Sequence, residues 1–180
     1  MNTYLQRLKV AIESATHEIS DSDLSRRPAA GKWSPAEILE HLILTYTGTI
    51  KNLERSHTGG KPLGGRPTLK QHFINVLVLD FGYFPTGRNS PESAKPKGMA
   101  GDQVLSEIHR KLAALDDAIR NCESKFGSTA FVADHPVIGP ITMQQWSKFH
   151  WVHGRHHVKQ IVRMRRTSPP LPIAPSLAAK

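Results

Sequence analysis

The chain of 180 residues contains one cysteine, Cys122. An internal disulfide is excluded, and so is a metal site built on several thiolates. A metal in this protein must be held by nitrogen and oxygen. Long apolar runs are also missing. The longest, Val76 to Leu79, is far too short to span a bilayer, so no membrane partner is expected. The opening Met1-Asn2-Thr3-Tyr4-Leu5-Gln6-Arg7 lacks the apolar stretch of a signal peptide, which makes the cytoplasm the expected location. Aromatic residues are scarce at 7% and hydrophobic residues reach 38%, still enough for one globular domain of this length.

Acidic residues are in deficit too. Against 24 lysines and arginines stand 15 aspartates and glutamates, for a formal charge of +9. The pI lies near 9.9. That balance invites a nucleic-acid reading, but its placement argues for something else. Many cations fall in expected loops: Arg26, Arg27, Lys32, Lys61, Arg66, Arg88, Lys95 and Lys97. Arg163, Arg165 and Arg166 close the last expected helix, where positive charge suits the helix dipole. The loop cations fit an anionic small molecule better than a duplex, so a basic nucleic-acid-binding protein is the remote alternative. The glycine-rich stretch Thr58 to Gly65 lacks the Gly-Lys-Ser/Thr ending of a phosphate loop. It reads as a flexible loop without a nucleotide role.

What is present is helical periodicity. Leu5, Leu8, Ile12, Ala15 and Ile19 recur at helical spacing and predict a first helix from Thr3 to about Ser20, followed by a polar connection to Trp33. Ser34 as N-cap, Pro35 at the first position and Glu37 completing a capping box open a second helix. It carries Ile38, Leu42, Tyr46, Ile50 and Leu53 inward and ends near Ser56. A short third helix is expected from Leu69 to about Tyr83, then a long irregular connection from Pro85 to Gly101. Asp102 is the expected cap of a fourth helix reaching about Lys125. Thr142 and Gln145 form the capping box of the last helix, to about Arg166. A domain of residues 1–166 and a disordered proline-rich tail from 167 to 180 result. No good strands are expected, and the fold class is an all-α helix bundle with long inter-helix loops.

The richest stretch for chemistry lies in the last helix. Of the ten histidines, four (His150, His153, His156 and His157) fall within eight residues. His153 and His157 are one turn apart on one helix face, with Cβ atoms roughly 6 Å apart. Two imidazoles so placed can converge on one ion, at about 2.0–2.1 Å from each nitrogen for zinc. A third ligand must come from elsewhere. His41, two turns into the second helix beside its buried stripe, is a candidate, because bundle metal sites use inward side chains on facing helices. His17, His72 and His109 are the substitutes.

Trp33-Ser34-Pro35-Ala36-Glu37-Ile38-Leu39-Glu40-His41-Leu42 and His153-Gly154-Arg155-His156-His157-Val158-Lys159-Gln160-Ile161 resemble motifs of the DinB/YfiT-like superfamily. His135 to Thr142 and the Phe84-Pro85-Thr86-Gly87 loop resemble an uncharacterised branch of it. The likeness runs from about Leu5 to Arg166. It implies a four-helix bundle of up-down-down-up type, often a homodimer, with one divalent metal ion on three histidines. Carried over by position these are His41, His153 and His157. The metal is usually zinc or nickel, and in characterised relatives it activates a low-molecular-weight thiol for transfer or isomerisation. Many members have no known activity.

The expected function is therefore a metal-dependent small-thiol transferase or hydrolase acting on a small molecule. The alternative is a non-catalytic metal- or ligand-binding module. Several residues keep two readings. Glu37 is a capping residue or a base, and Gln160 a surface amide or a group orienting a ligating imidazole. Asp80 is half of an ion pair or a site residue. His135 and His150 either pack or line a pocket, and His156 is a surface group or one that supports a ligating imidazole.

Overall fold

The computed structural model describes residues 1–83 and 90–167. The Phe84 to Gly87 motif and residues 168–180 of the expected tail lie outside them. Six α-helices follow in order: α1 (Thr3–Thr16), α2 (Asp21–Ser25), α3 (Pro35–Thr58), α4 (Leu69–Leu79), α5 (Gly101–Phe126) and α6 (Met143–Thr167). A 3-10 turn covers Glu92–Ala94, and two short strands, β1 (Asp134–His135) and β2 (Gly139–Pro140), pair antiparallel. The all-α class is as expected. The strand pair was not, because two-residue strands leave no alternating pattern to read.

The helix starts are written in local chemistry. At Ser34 the capping box is complete: Ser34 Oγ accepts from the Glu37 amide and Glu37 accepts from the Ser34 amide. Thr142 and Gln145 repeat it before α6. Thr68 and Gln71 form a third such box, which opens α4 and was not anticipated. Each cap contributes about 1 kcal/mol. A separate α2 falls in the expected polar connection, and the expected first helix breaks early. It stops at Thr16, Glu18 takes a left-handed φ of 53°, and Ser20 caps α2. Asp102 is not the cap of α5; Ala100 holds that place, and Asp102 lies in the first turn, where its charge faces free amides.

Packing pairs α3 with α5 and α1 with α6, and α5 and α3 each touch α6 to close the core. Leu5, Leu8 and Ile12 of α1, Leu39, Leu42, Tyr46 and Leu53 of α3, Ile108, Leu112 and Leu115 of α5, and Trp146 and Ile161 of α6 are all buried in it. The loop after α3 is not free. Ser56 Oγ and the Leu63 amide both donate to the Val132 carbonyl, and Gly64 lies so close to Phe131 that a Cβ would sit 2.4 Å from its carbonyl oxygen. Its glycines allow close backbone approach as much as flexibility.

The α1–α6 contact also rests on a glycine. A Cβ at Gly154 would come within 2.5 Å of Leu8 Cδ1, and Leu8 is fully buried. Gly154→Val should therefore destabilise the protein by about 1–3 kcal/mol through overpacking, read as a lower melting temperature. Adding Leu8→Ala should return part of the loss. An unchanged melting temperature for Gly154→Val alone would mean that α1 and α6 do not meet here.

Candidate metal centre

His41 projects from the second turn of α3, and His153 and His157 from consecutive turns of α6. The fold brings these three together: one ligand atom from each lies within 4.8 Å of the others. His153 Nε2 is 3.4 Å from His41 Nε2 and 3.1 Å from His157 Nε2. His41 and His157 are buried, and His153 retains some accessible surface. The half-buried Trp33 ring covers His41 at 5.1 Å between centroids, and Phe149 stacks on His153 at 5.4 Å.

Ring orientation is set from behind. His41 Nδ1–H donates to the Ala94 carbonyl at 2.8 Å, and His157 Nδ1–H donates to Gln160 Oε1 at 2.9 Å. A neutral imidazole has one N–H, so both rings are left with a bare lone pair on Nε2. These lone pairs belong to the nitrogens that face His153. Gln160 is fixed in turn, since its amide donates to His156 Nε2 at 3.2 Å. The orienting role considered for Gln160 is the one its contacts describe, and His156 is a partner of Gln160 on the outer side of α6.

Burial keeps these rings neutral. It lowers His153 well below the usual 6.5, with neighbouring imidazoles adding to the effect. Burial and then His41 push His157 down to about 3. Burial also lowers His41, against the opposing bond to Ala94. Nitrogens about 2.05 Å from a tetrahedral ion lie about 3.3 Å apart; the two separations to His153, 3.1 and 3.4 Å, match this, and that between His41 and His157 is within 4.8 Å. Neutral donors, converging lone pairs and this spacing suit a dication.

Other candidates fall elsewhere. Glu37 is occupied by its cap and by a two-pronged contact with Arg27. Burial raises its carboxyl, but the bonds from Arg27 and Ser34 outweigh that and leave it below the usual value. Asp80 ends α4 and pairs with Lys148 at the surface. His135 Nδ1 accepts from the amides of Val137 and Ile138 and holds the turn between β1 and β2. His150 is fully buried, edge-on to Tyr46 and stacked on Trp146. His17 lies exposed beside Glu18, and His72 is exposed on α4; neither these nor His109 join the cluster.

Two groups behind the centre were not anticipated from the sequence. Ala94 acts through its backbone, which no residue pattern records. Glu40 is a buried carboxylate inside an apolar run, and that burial cost is a usable signal.

Fold and cluster together define an all-helical protein with three imidazoles gathered between two bundle helices. The chain belongs to the DinB superfamily, which matches residues 4–161. It is similar to uncharacterized protein YuaE of Bacillus subtilis strain 168, with 22% identity over 157 residues, 82% of this chain and 86% of that one. No solved structure matches it at a significant level. Among the described residues no helix is long and apolar enough to cross a membrane.

The buried imidazoles give the metal-free protein an acid limit. His135 is pushed down to about 4 and His150 to about 3, in both cases chiefly by burial. Once unfolded, these rings and His157 take up protons near pH 6.5, whereas the folded chain resists until far lower pH. Stability should be flat above pH 7 and fall as pH drops from about 6.5 towards 4, at up to about 1.4 kcal/mol per buried ring per pH unit. Thermal melts of metal-free protein across this range test it. His150→Phe should make the slope shallower, and a pH-independent melting temperature would contradict the burial of these rings.

Proposed function

We propose that His41, His153 and His157 bind one divalent metal ion, zinc or nickel. We further propose that the protein is a metal-dependent enzyme, a small-thiol transferase or a hydrolase, acting on a small anionic molecule in the cytoplasm. The observation that carries this reading is the convergence of three neutral Nε2 donors at 3.1 and 3.4 Å, two of them tautomer-locked from behind. A dication held by three neutral ligands supplies Lewis acidity, which acidifies water or a thiol and polarises a carbonyl.

The chain's own contribution is positional. Ala94 and Gln160 keep the Nδ1 protons away from the centre, so both Nε2 atoms stay available as donors. Trp33 and Phe149 limit water around His41 and His153 and restrict ring rotation. Lys97 stands exposed three residues beyond Ala94, which supports an anionic substrate approaching from that side, whereas Lys95 is paired with Glu92. Paired cations elsewhere, Arg110 with Glu107 and Arg120 with Asp116, leave less free charge for a nucleic acid.

Alanine at position 41, 153 or 157 should reduce metal content from one ion per chain to nearly none, while His156→Ala should retain it. Elemental analysis of untagged protein decides this, and full occupancy after His41→Ala would remove His41 from the site. Metal-loaded protein should turn over a panel of small thiols with electrophiles, or of simple esters and amides, in a chelator-sensitive manner. Metal binding without any such turnover would establish the binding-module reading.

Homodimer formation is part of the proposal. Leu69, Phe73, Phe81 and Tyr83 are 92%, 64%, 76% and 59% exposed, on and just beyond α4, an apolar surface of the kind that pairs with another. Phe73→Glu should halve the mass measured by light scattering. A wild-type chain that is monomeric at micromolar concentration would refute this part.

A further inference from the structure

Glu40 is 3% exposed, yet it belongs neither to the cap of α3 nor to the histidine cluster. A carboxylate that deep costs several kcal/mol unless its oxygens are satisfied. Here both are. Oε1 accepts from the Lys97 amide at 2.8 Å, and Oε2 accepts from the amides of Gly98 and Met99, each at 2.9 Å. Three consecutive backbone donors thus converge on one side chain, an anion nest made by the connection between the 3-10 turn and α5. Gly98 adopts a φ of 94°, a left-handed conformation that suits glycine, at the centre of this nest.

The same connection carries the Ala94 carbonyl, three residues before Lys97, and that carbonyl receives the His41 Nδ1 proton at 2.8 Å. Glu40 and His41 are neighbours on α3. The helix therefore grips the connection twice, once by carboxylate to backbone amides and once by imidazole to backbone carbonyl. The segment also anchors itself, since the Ala94 amide donates to the Pro91 carbonyl and the Lys95 amide to the Glu92 carbonyl. Without the carboxylate, three amides lose their acceptor, and of the two grips on the connection only the His41 bond remains.

We infer that Glu40 is a positioning residue of the histidine centre: by clamping residues 97–99 it holds the Ala94 carbonyl where it fixes the tautomer and rotation of His41. The inference rests on the metal reading above and deepens it. Groups that hold a ligating imidazole from behind commonly change metal affinity by about 10–100-fold when lost. Glu40 would act at one further remove, through the backbone.

The test uses the full chain and Zn2+ alone, titrated against a competing chelator. Glu40→Gln should weaken Zn2+ binding about 10-fold or more and raise amide exchange at Lys97, Gly98 and Met99, which should be protected in the wild type. With Co2+ as the probe, its visible absorption should change as His41 loses its fixed orientation, a signature that general loosening elsewhere would not give. Glu37→Ala, which removes the reciprocal bond of the cap and the Arg27 contact on the same helix, should lower the melting temperature but leave the Zn2+ affinity in place. Should Glu40→Gln fail to fold, Glu40→Asp keeps the charge but withdraws it by one methylene, and should show the same affinity loss. Wild-type affinity in the Glu40 variants, or unprotected amides at 97–99 in the wild type, would overturn the inference while leaving the three-histidine site standing. A wild type that binds no Zn2+ would overturn both.

Discussion

An imidazole has two nitrogens and, when neutral, one proton, so a histidine can serve as a ligand only where something else decides which nitrogen keeps it. Here that decision is made by the Ala94 carbonyl for His41 and by the Gln160 carbonyl oxygen for His157. Both partners can only accept, so both protons sit on Nδ1 and both Nε2 atoms present lone pairs. Reverse either bond and a donor N–H would point into the cluster, where a cation could not bind beside it. Three histidines in proximity are a common enough packing outcome; two of them locked in the same tautomer from behind are what a metal site requires.

That arrangement depends on rigidity at two scales. At the larger scale, α3 and α6 must keep a fixed separation, which the buried leucines of α3 and α5 and the Leu8–Gly154 contact provide. At the smaller scale, the ring planes are held by Trp33 and Phe149. Both come at the cost of burying imidazoles that then resist protonation, as His135, His150 and His157 all do. The property that readies the centre for a cation is therefore the property that makes the empty fold sensitive to acid. On the proposed reading, filling the site and folding the chain are coupled by the same desolvation.

How legible this was in the sequence follows from which interactions are local. The capping boxes at Ser34 and Thr142 are four-residue patterns, and both appear as read. The His153–His157 pair is likewise local, since helical spacing alone puts both rings on one face. His41 is not local to them. On spacing it was one boundary histidine among several, and it was singled out by resemblance; the fold then brings it to 3.4 Å from His153. What could not be read were contacts made by backbone. The Ala94 carbonyl, the amides of residues 97–99 and the Val132 carbonyl carry no signature in side-chain identity, because every residue but proline offers the same two groups. The early break of the first helix was hidden for a related reason. Ile19 continues the apolar spacing beyond the break, while Glu18 enters a conformation that its sequence does not demand.

Glu37 and Glu40 show how little a residue type says without its surroundings. They stand one turn apart on α3, and each accepts hydrogen bonds from backbone amides. Glu37 reaches back to the start of its own helix, where the capping motif announces it, and its remaining capacity goes to Arg27 at the surface. Glu40 reaches across to a segment more than fifty residues away, where among the described residues it meets backbone amides and no cationic side chain. An acidic residue in an apolar run is a burial problem before it is anything else, and the chain solves it with backbone dipoles. Solved that way, the carboxylate gains a second consequence. It ties the irregular connection to the helix that carries His41, so residues 94–99 become part of the wall around the histidine cluster.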